Sequence, residues 1–184
     1  MIWRHVIGLH PERVSDDDRA VRWATTGVAL PTGRVIQAPG RLGEMLADAT
    51  FSDALTEPTA VWLWLSKGLS WAGCGNDVRA ALRDALADPG GWAVDPAPGE
   101  VLEHVTADLL AGSVGDFVRS HGGSVLVRRC GDEVAVRLGG ACEHCPAAGH
   151  TLRLRLLEAL RGRCPDLVET GGERGELRLG LGGS

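Results

Sequence analysis

Ser124-Val125-Leu126-Val127-Arg128-Arg129-Cys130-Gly131-Asp132-Glu133-Val134-Ala135-Val136-Arg137-Leu138 is the stretch from which the fold is read. Two β-rich runs, Ser124 to Cys130 and Glu133 to Leu138, flank Gly131-Asp132, so the pattern predicts a β-hairpin with a tight two-residue turn. Upstream, Glu100 to Ser120 carries Val101, Leu102, Val105, Leu109, Val114 and Phe117 mostly three or four residues apart. That spacing predicts an amphipathic helix, weakened in its middle by Gly112 and Gly115 and ended by His121-Gly122-Gly123. Downstream come Gly139-Gly140-Ala141, then Cys142-Glu143-His144-Cys145 and Pro146. Ala147 to Arg163 is expected to be helical, with Leu152, Leu156 and Leu160 on one face, Leu157 beside them, and Arg153, Arg155, Arg161 and Arg163 on the polar side. Pro165 stops it, and Leu167 to Glu169 and Glu176 to Leu181 suit short strands. The order helix, strand, strand, helix, strand defines a two-layer α+β sandwich.

Upstream of that frame, Asp88-Pro89-Gly90-Gly91 and Asp95-Pro96-Ala97-Pro98-Gly99 deny both helix and ladder hydrogen bonds and are expected to form a linker. They divide the chain near residue 97 into an N-terminal domain, 1–95, and a C-terminal domain, 100–184, both expected to be small two-layer α/β sandwiches. In the first, Arg41 to Ala49 reads as a helix and Ala60 to Leu65 as a strand turned at Lys67-Gly68. Trp62 and Trp64 lie opposite Val61 and Leu63, which predicts a strand buried on both faces; a docking surface is the alternative reading of the tryptophans. Asn76 is the expected cap of a helix reaching Ala87, with Val78, Leu82 and Leu86 on one face. Residues 1–38 carry weaker patterns, and Asp16-Asp17-Asp18 reads as a solvated loop rather than a metal site.

The 184 residues carry a formal net charge of −5 and are 44% hydrophobic, the composition of a folded chain. A pI near 5.7 and the lack of a basic run argue against nucleic-acid binding by phosphate neutralisation. Apolar runs fall far short of the roughly 20 residues that span a bilayer, so no membrane partner is expected. Met1-Ile2-Trp3-Arg4-His5 lacks a basic segment followed by an apolar core, so no secretory signal is expected there. With five cysteines, Cys74, Cys130, Cys142, Cys145 and Cys164, this points to reduced thiols in a cytoplasm. No Ser/His/Asp arrangement, Walker loop or useful pair of carboxylates is present, so an enzyme with its own turnover is disfavoured.

The chemistry therefore concentrates on Cys142 and Cys145. Two thiols separated by two residues reach one metal ion, and a helix start at Pro146 favours the thiolate form that binds iron or zinc. A closed zinc site or a cubane cluster takes four such ligands. Cys130 ends a strand, and Cys164 lies roughly 25 Å away along the helix, so neither completes a local set. The simplest completion is a second copy of the chain, two cysteines from each. Cys130 and Cys164 are expected to pack as small hydrophobes. Cys74, in Gly73-Cys74-Gly75, reads as a flexible, exposed thiol, and His144 and His150 read as solvent-facing or helix-capping side chains rather than ligands.

His121 to Val127, Gly131 to Leu138, Gly139-Gly140-Ala141-Cys142-Glu143-His144-Cys145-Pro146 and Thr151-Leu152-Arg153 closely resemble the NifU C-terminal domain, the Nfu type of iron–sulfur cluster scaffold and carrier. The resemblance runs from about Leu102 to Val168. It implies a [4Fe–4S] cluster, or a [2Fe–2S] form, bridged between two subunits by Cys142 and Cys145 and passed to apo-proteins. It also implies a homodimer when cluster-bound, with cluster donors and apo acceptors as partners. Glu143 and His144 stand where small or polar residues are common in the family; beside the sulfurs they bear on cluster potential, and His144 offers a competing nitrogen ligand. The N-terminal half bears a fainter similarity to the N-terminal domain of Nfu-type proteins, around Trp62, Trp64 and Ser70-Trp71. A thiol–disulfide oxidoreductase using the same pair, and a structural zinc-bridged dimer, are the competing readings.

Overall fold

Alternation and burial meet most completely in Ala60–Leu65, a six-residue strand in which every side chain is buried. It lies inside an antiparallel sheet in the computed structural model of the protein, which describes residues 7–14, 16–140, 146–172 and 175–182, with the side chains of 146–149 and 152 outside the description. Two compact units emerge, 1–96 and 97–184.

The first unit is built on strands β1 (Gly8–Arg13), β2 (Ala20–Thr26), β3 (Gly33–Gln37), β4 (Phe51–Glu57), β5 (Ala60–Leu65) and β6 (Ala93–Pro96). They are ordered β1-β2-β5-β4-β3-β6, with every pairing antiparallel. Helices α1 (Gly40–Ala47) and α2 (Trp71–Leu86) supply Leu42, Met45, Val78, Leu82 and Leu86 to a core with Val61, Leu63 and Leu65. The opposite face of β5 carries Trp62 and Trp64, stacked with ring centroids 5.9 Å apart, so these rings are buried rather than displayed.

That face also buries an ion pair. Arg22 meets Glu57, whose side chain is fully buried, across the sheet. Glu57 is satisfied on both oxygens: Oε2 accepts from Trp62 Nε1 at 2.8 Å, and Oε1 accepts from Thr59 Oγ1 at 2.9 Å and Arg22 Nε at 3.1 Å. Arg22 reaches Glu12 as well, at 2.7 Å. Burial opposes the guanidinium's charge, but the two carboxylates outweigh it and hold its pKa above the ordinary value.

Two sequence expectations are corrected here, and a stretch without a clear pattern is resolved. α2 starts at Trp71 with Ser70 before it, a turn and a half earlier than Asn76, because Trp71 and Cys74 already pack on the core. The first Pro/Gly cluster is no linker: Pro89–Gly91 forms a 3-10 turn, and the strand after it pairs with β3. The stretch up to and including Gln37, where the pattern is weak, supplies three strands.

The second unit holds α3 (Pro98–Ala111), α4 (Ser113–Ser120), β7 (Gly123–Cys130), β8 (Glu133–Gly140), α5 (Pro146–Arg163), β9 (Leu167–Gly171) and β10 (Glu176–Leu181). The protein is α+β, but this unit departs from the expected order at two points. The single helix over 100–120 is two, and both C-terminal strands join one antiparallel sheet, ordered β7-β8-β10-β9. The helix breaks at Gly112, whose ψ of −149° is far from helical. Gly115 then lies so close to α3 that an added Cβ would sit 1.7 Å from the Leu110 carbonyl oxygen. Val101, Leu102, Val105, Val134, Val136, Leu156, Leu157, Leu160, Leu177 and Leu179 are buried. Cross-strand partners Val136–Leu177 and Val134–Leu179 place the sheet's contribution on one face. Arg163 ties α5 to Asp108 of α3 at 2.7 Å.

All six tryptophans precede residue 97, so their fluorescence reports the first unit alone. Denaturant unfolding followed that way should show Glu57→Ala destabilising this unit by about 3–5 kcal/mol, because Arg22 is left buried with its main partner gone. Glu44→Ala, at an exposed pair with Arg41, should leave the midpoint in place.

Candidate cluster-binding site

The β7–β8 hairpin has a closed end and an open end. At the closed end Cys130 pairs with Glu133 across Gly131, whose φ of +67° suits the turn. At the open end Gly123 pairs with Gly140. Gly140 has a φ of +69°, and a Cβ there would approach the Gly122 carbonyl oxygen to 2.6 Å, so glycine is required on two independent grounds. The chain leaves the sheet at Gly140 and enters α5 at Pro146. Cys142, Glu143, His144 and Cys145 fall in the interval between and lie outside the described residues.

The flank of this open end is braced by α4. Val118 is buried against Val114, Phe117, Val125 and Leu138. The His121 ring lies 4.4 Å from that of Phe117, and its Nδ1 lies 2.8 Å from the Phe117 carbonyl oxygen and 3.0 Å from Ser120 Oγ. Arg155 of α5 stacks over Phe117, 4.3 Å from the ring centre. The sequence reading placed Phe117 and Arg155 on separate helix faces without joining them. A cation over an aromatic ring 38 positions away leaves no periodic trace.

The other cysteines stand apart from this interval. Cys130 is at the closed end of the hairpin, seven strand steps or roughly 23 Å from Gly140. Cys164 follows α5, about 27 Å from its start, and is fully buried. Among the described residues no group of three or more His, Cys, Asp or Glu side chains is placed to hold a metal ion. His150 is exposed on α5.

Cys74 belongs to the first unit, and the expectation of a flexible, exposed thiol is corrected. It sits in the first turn of α2, half-buried against the core, with its Sγ donating to the Ser70 carbonyl at 3.2 Å. Burial pushes this thiol's pKa up, and the Asp77 carboxylate adds in the same direction.

With the geometry in place, comparison with known families is informative. Residues 107–170, roughly a third of the chain and most of the second unit, match the family model of the NifU-like domain. The matched span runs from α3 through the hairpin, the cysteine-bearing interval and α5 into β9. The second unit is thus similar, over residues 107–170, to the NifU-like domain of the NifU/Nfu type. Such domains act in iron–sulfur cluster assembly as scaffolds or carriers, dealing with cluster donors and acceptors, and are in general not enzymes. Searches of curated proteins and of solved structures found no match. No helix among the described residues is long and apolar enough to cross a membrane.

Two measurements follow from this geometry. Gly140→Ala should lower the stability of the second unit by about 1–3 kcal/mol in thermal unfolding followed by far-UV circular dichroism. Gly162→Ala, in α5 with open space where the Cβ goes, should raise it. Alkylation mapped by mass spectrometry should find Cys74 slower than an ordinary free thiol at pH 8, and its rate should still be climbing as the pH is raised further, since a raised pKa leaves less thiolate.

Proposed function

We propose that the protein is an iron–sulfur cluster carrier in which Cys142 and Cys145 hold the cargo, two sulfurs from each of two chains. The observation that carries this reading is the frame around the pair. A hairpin ending in an obligatory glycine delivers the chain, within five residues, to the start of an 18-residue helix inside a NifU-like domain. The free amides and positive end of such a helix favour thiolates close to it.

Ligand arithmetic supports the two-chain arrangement. A cubane cluster takes four thiolates and the interval holds two, while Cys130 lies roughly 23 Å from Gly140 by strand rise and Cys164 roughly 27 Å from the start of α5 by helix rise. The cargo is then a [4Fe–4S] cluster shared by a homodimer, with [2Fe–2S] as the smaller cluster the same four sulfurs can hold. Delivery is ligand exchange. An acceptor cysteine gives up its proton and binds iron, and the sulfur of Cys142 or Cys145 leaves that iron and takes up a proton. No electron moves. Sharing between two chains makes release easier, because each holds only half of the ligands. Glu143 and His144, which lie between the two cysteines in sequence, would bear on the cluster's potential.

Protein purified without oxygen, with iron, sulfide and zinc measured beside native mass, tests this reading. The expected result is about four irons and four sulfides for every two chains, both lost together with the dimer in Cys142→Ser. Transfer should then activate an apo iron–sulfur protein. Zinc alone, even after iron and sulfide are supplied, would replace the reading with a structural site. A metal-free protein with a reversible Cys142–Cys145 disulfide would replace it with dithiol redox chemistry.

A further inference from the structure

We propose that the first unit carries a binding site for a small carboxylate with a planar apolar body, in the groove between the start of α2 and the β1–β2 ribbon. The groove has a volume of about 340 Å³, within the range of small-molecule clefts. Val21 and Trp23 line it from the sheet, Trp71 stands on the helix side, and Arg13, Asn76 and Arg79 contribute polar groups. The two indoles meet edge to face, 6.0 Å apart, which gives the groove a stiff aromatic lining.

Three independent features specify the ligand. The first is an orphan donor. Trp23 is 3% exposed, and its Nε1 has no hydrogen-bond partner. The indoles of Trp62, Trp71 and Trp92, by contrast, donate to Glu57, to the Arg19 carbonyl and to the Ala85 carbonyl at 2.8–3.0 Å. A buried N–H without an acceptor is costly, and a carboxylate oxygen would relieve it. The second feature is charge. Arg13 and Arg79 have no carboxylate partner among the described residues, whereas Glu12, the acid that shares the groove, is already held by Arg22 at 2.7 Å. The third is the helix end. The Ser70 side chain makes no capping bond and the first turn of α2 contains no acid, so the amides and positive dipole end beside Trp71 and Ala72 lack the anion they favour. The apolar and aromatic lining calls for a planar body rather than a bare inorganic anion.

The site is testable on the full chain by indole ¹⁵N–¹H NMR with benzoate as the probe and neutral benzamide as its control. Trp23→Phe assigns the resonance. Benzoate should shift the Trp23 Nε1–H signal saturably, benzamide should not, and the Arg13→Gln/Arg79→Gln double variant should weaken benzoate binding about tenfold or more. Unchanged positions of the remaining indole signals in that variant would show that the unit is still folded. An unmoved Trp23 signal at about 10 mM benzoate, an equal response to benzamide, or undiminished affinity in the folded double variant would each overturn the proposal.

Discussion

The second unit depends on the register of one hairpin. In a strand the side-chain period is two, so a slip of one residue between β7 and β8 would turn Val134, Val136 and Leu138 away from the helices and bring Arg137 toward them. Glycine secures the register at both ends: Gly131 makes the turn, and Gly140 passes the Gly122 carbonyl at a distance no side chain permits. Everything downstream inherits that alignment. β10 pairs on β8, β9 pairs on β10, and α5 departs from the end that Gly140 defines. The charged contacts of α5 then complete the layer, Arg163 with Asp108 of α3, and Arg153 and Arg161 with Glu169 of β9.

The first unit solves a different problem. Its central strand is buried on both faces, and one of those faces contains charge. Hydrophobic packing alone would tolerate neighbouring arrangements of Trp62 and Trp64, but a buried carboxylate tolerates few. Glu57 is held by Arg22, Thr59 and Trp62 from three points on the sheet, which ties β2, β4 and β5 to one arrangement. The two units thus reach specificity by different routes, backbone geometry in one and polar satisfaction in the other.

How far the sequence disclosed this depends on whether a signal was local. The β7–β8 hairpin was legible because alternation and a Gly-Asp turn fall within 15 residues, and α5 because leucines recur every four. The cysteine pair stood out because thiols are rare and their spacing is chemical. What escaped depends on encounters through space. The break at Gly112 goes with the approach of Gly115 to the Leu110 carbonyl, while helical periodicity continues on either side of it. β1 carries Pro11 and two charged residues and is a strand by virtue of its pairing with β2. Glycines at 73 and 75 lower helix propensity enough to hide the first turn of α2, which tertiary packing restores. The groove beside Trp23 was invisible for the same reason: its lining is drawn from three elements.

The short strand β6 has a bearing on how this protein can be divided. It is four residues long, ends in Pro96, and forms the outer border of the six-stranded sheet against β3. At the opposite border β1 carries Pro11 in its middle, so both margins are poor templates for a foreign strand. Cutting the chain at Asp88-Pro89, the most evident composition break, would remove β6 and turn β3 into the margin. Ile36, already 62% exposed, would then stand on a strand with open backbone donors and acceptors. A fragment ended there would invite edge-to-edge association, whereas one that runs through Pro96 keeps its sheet sealed.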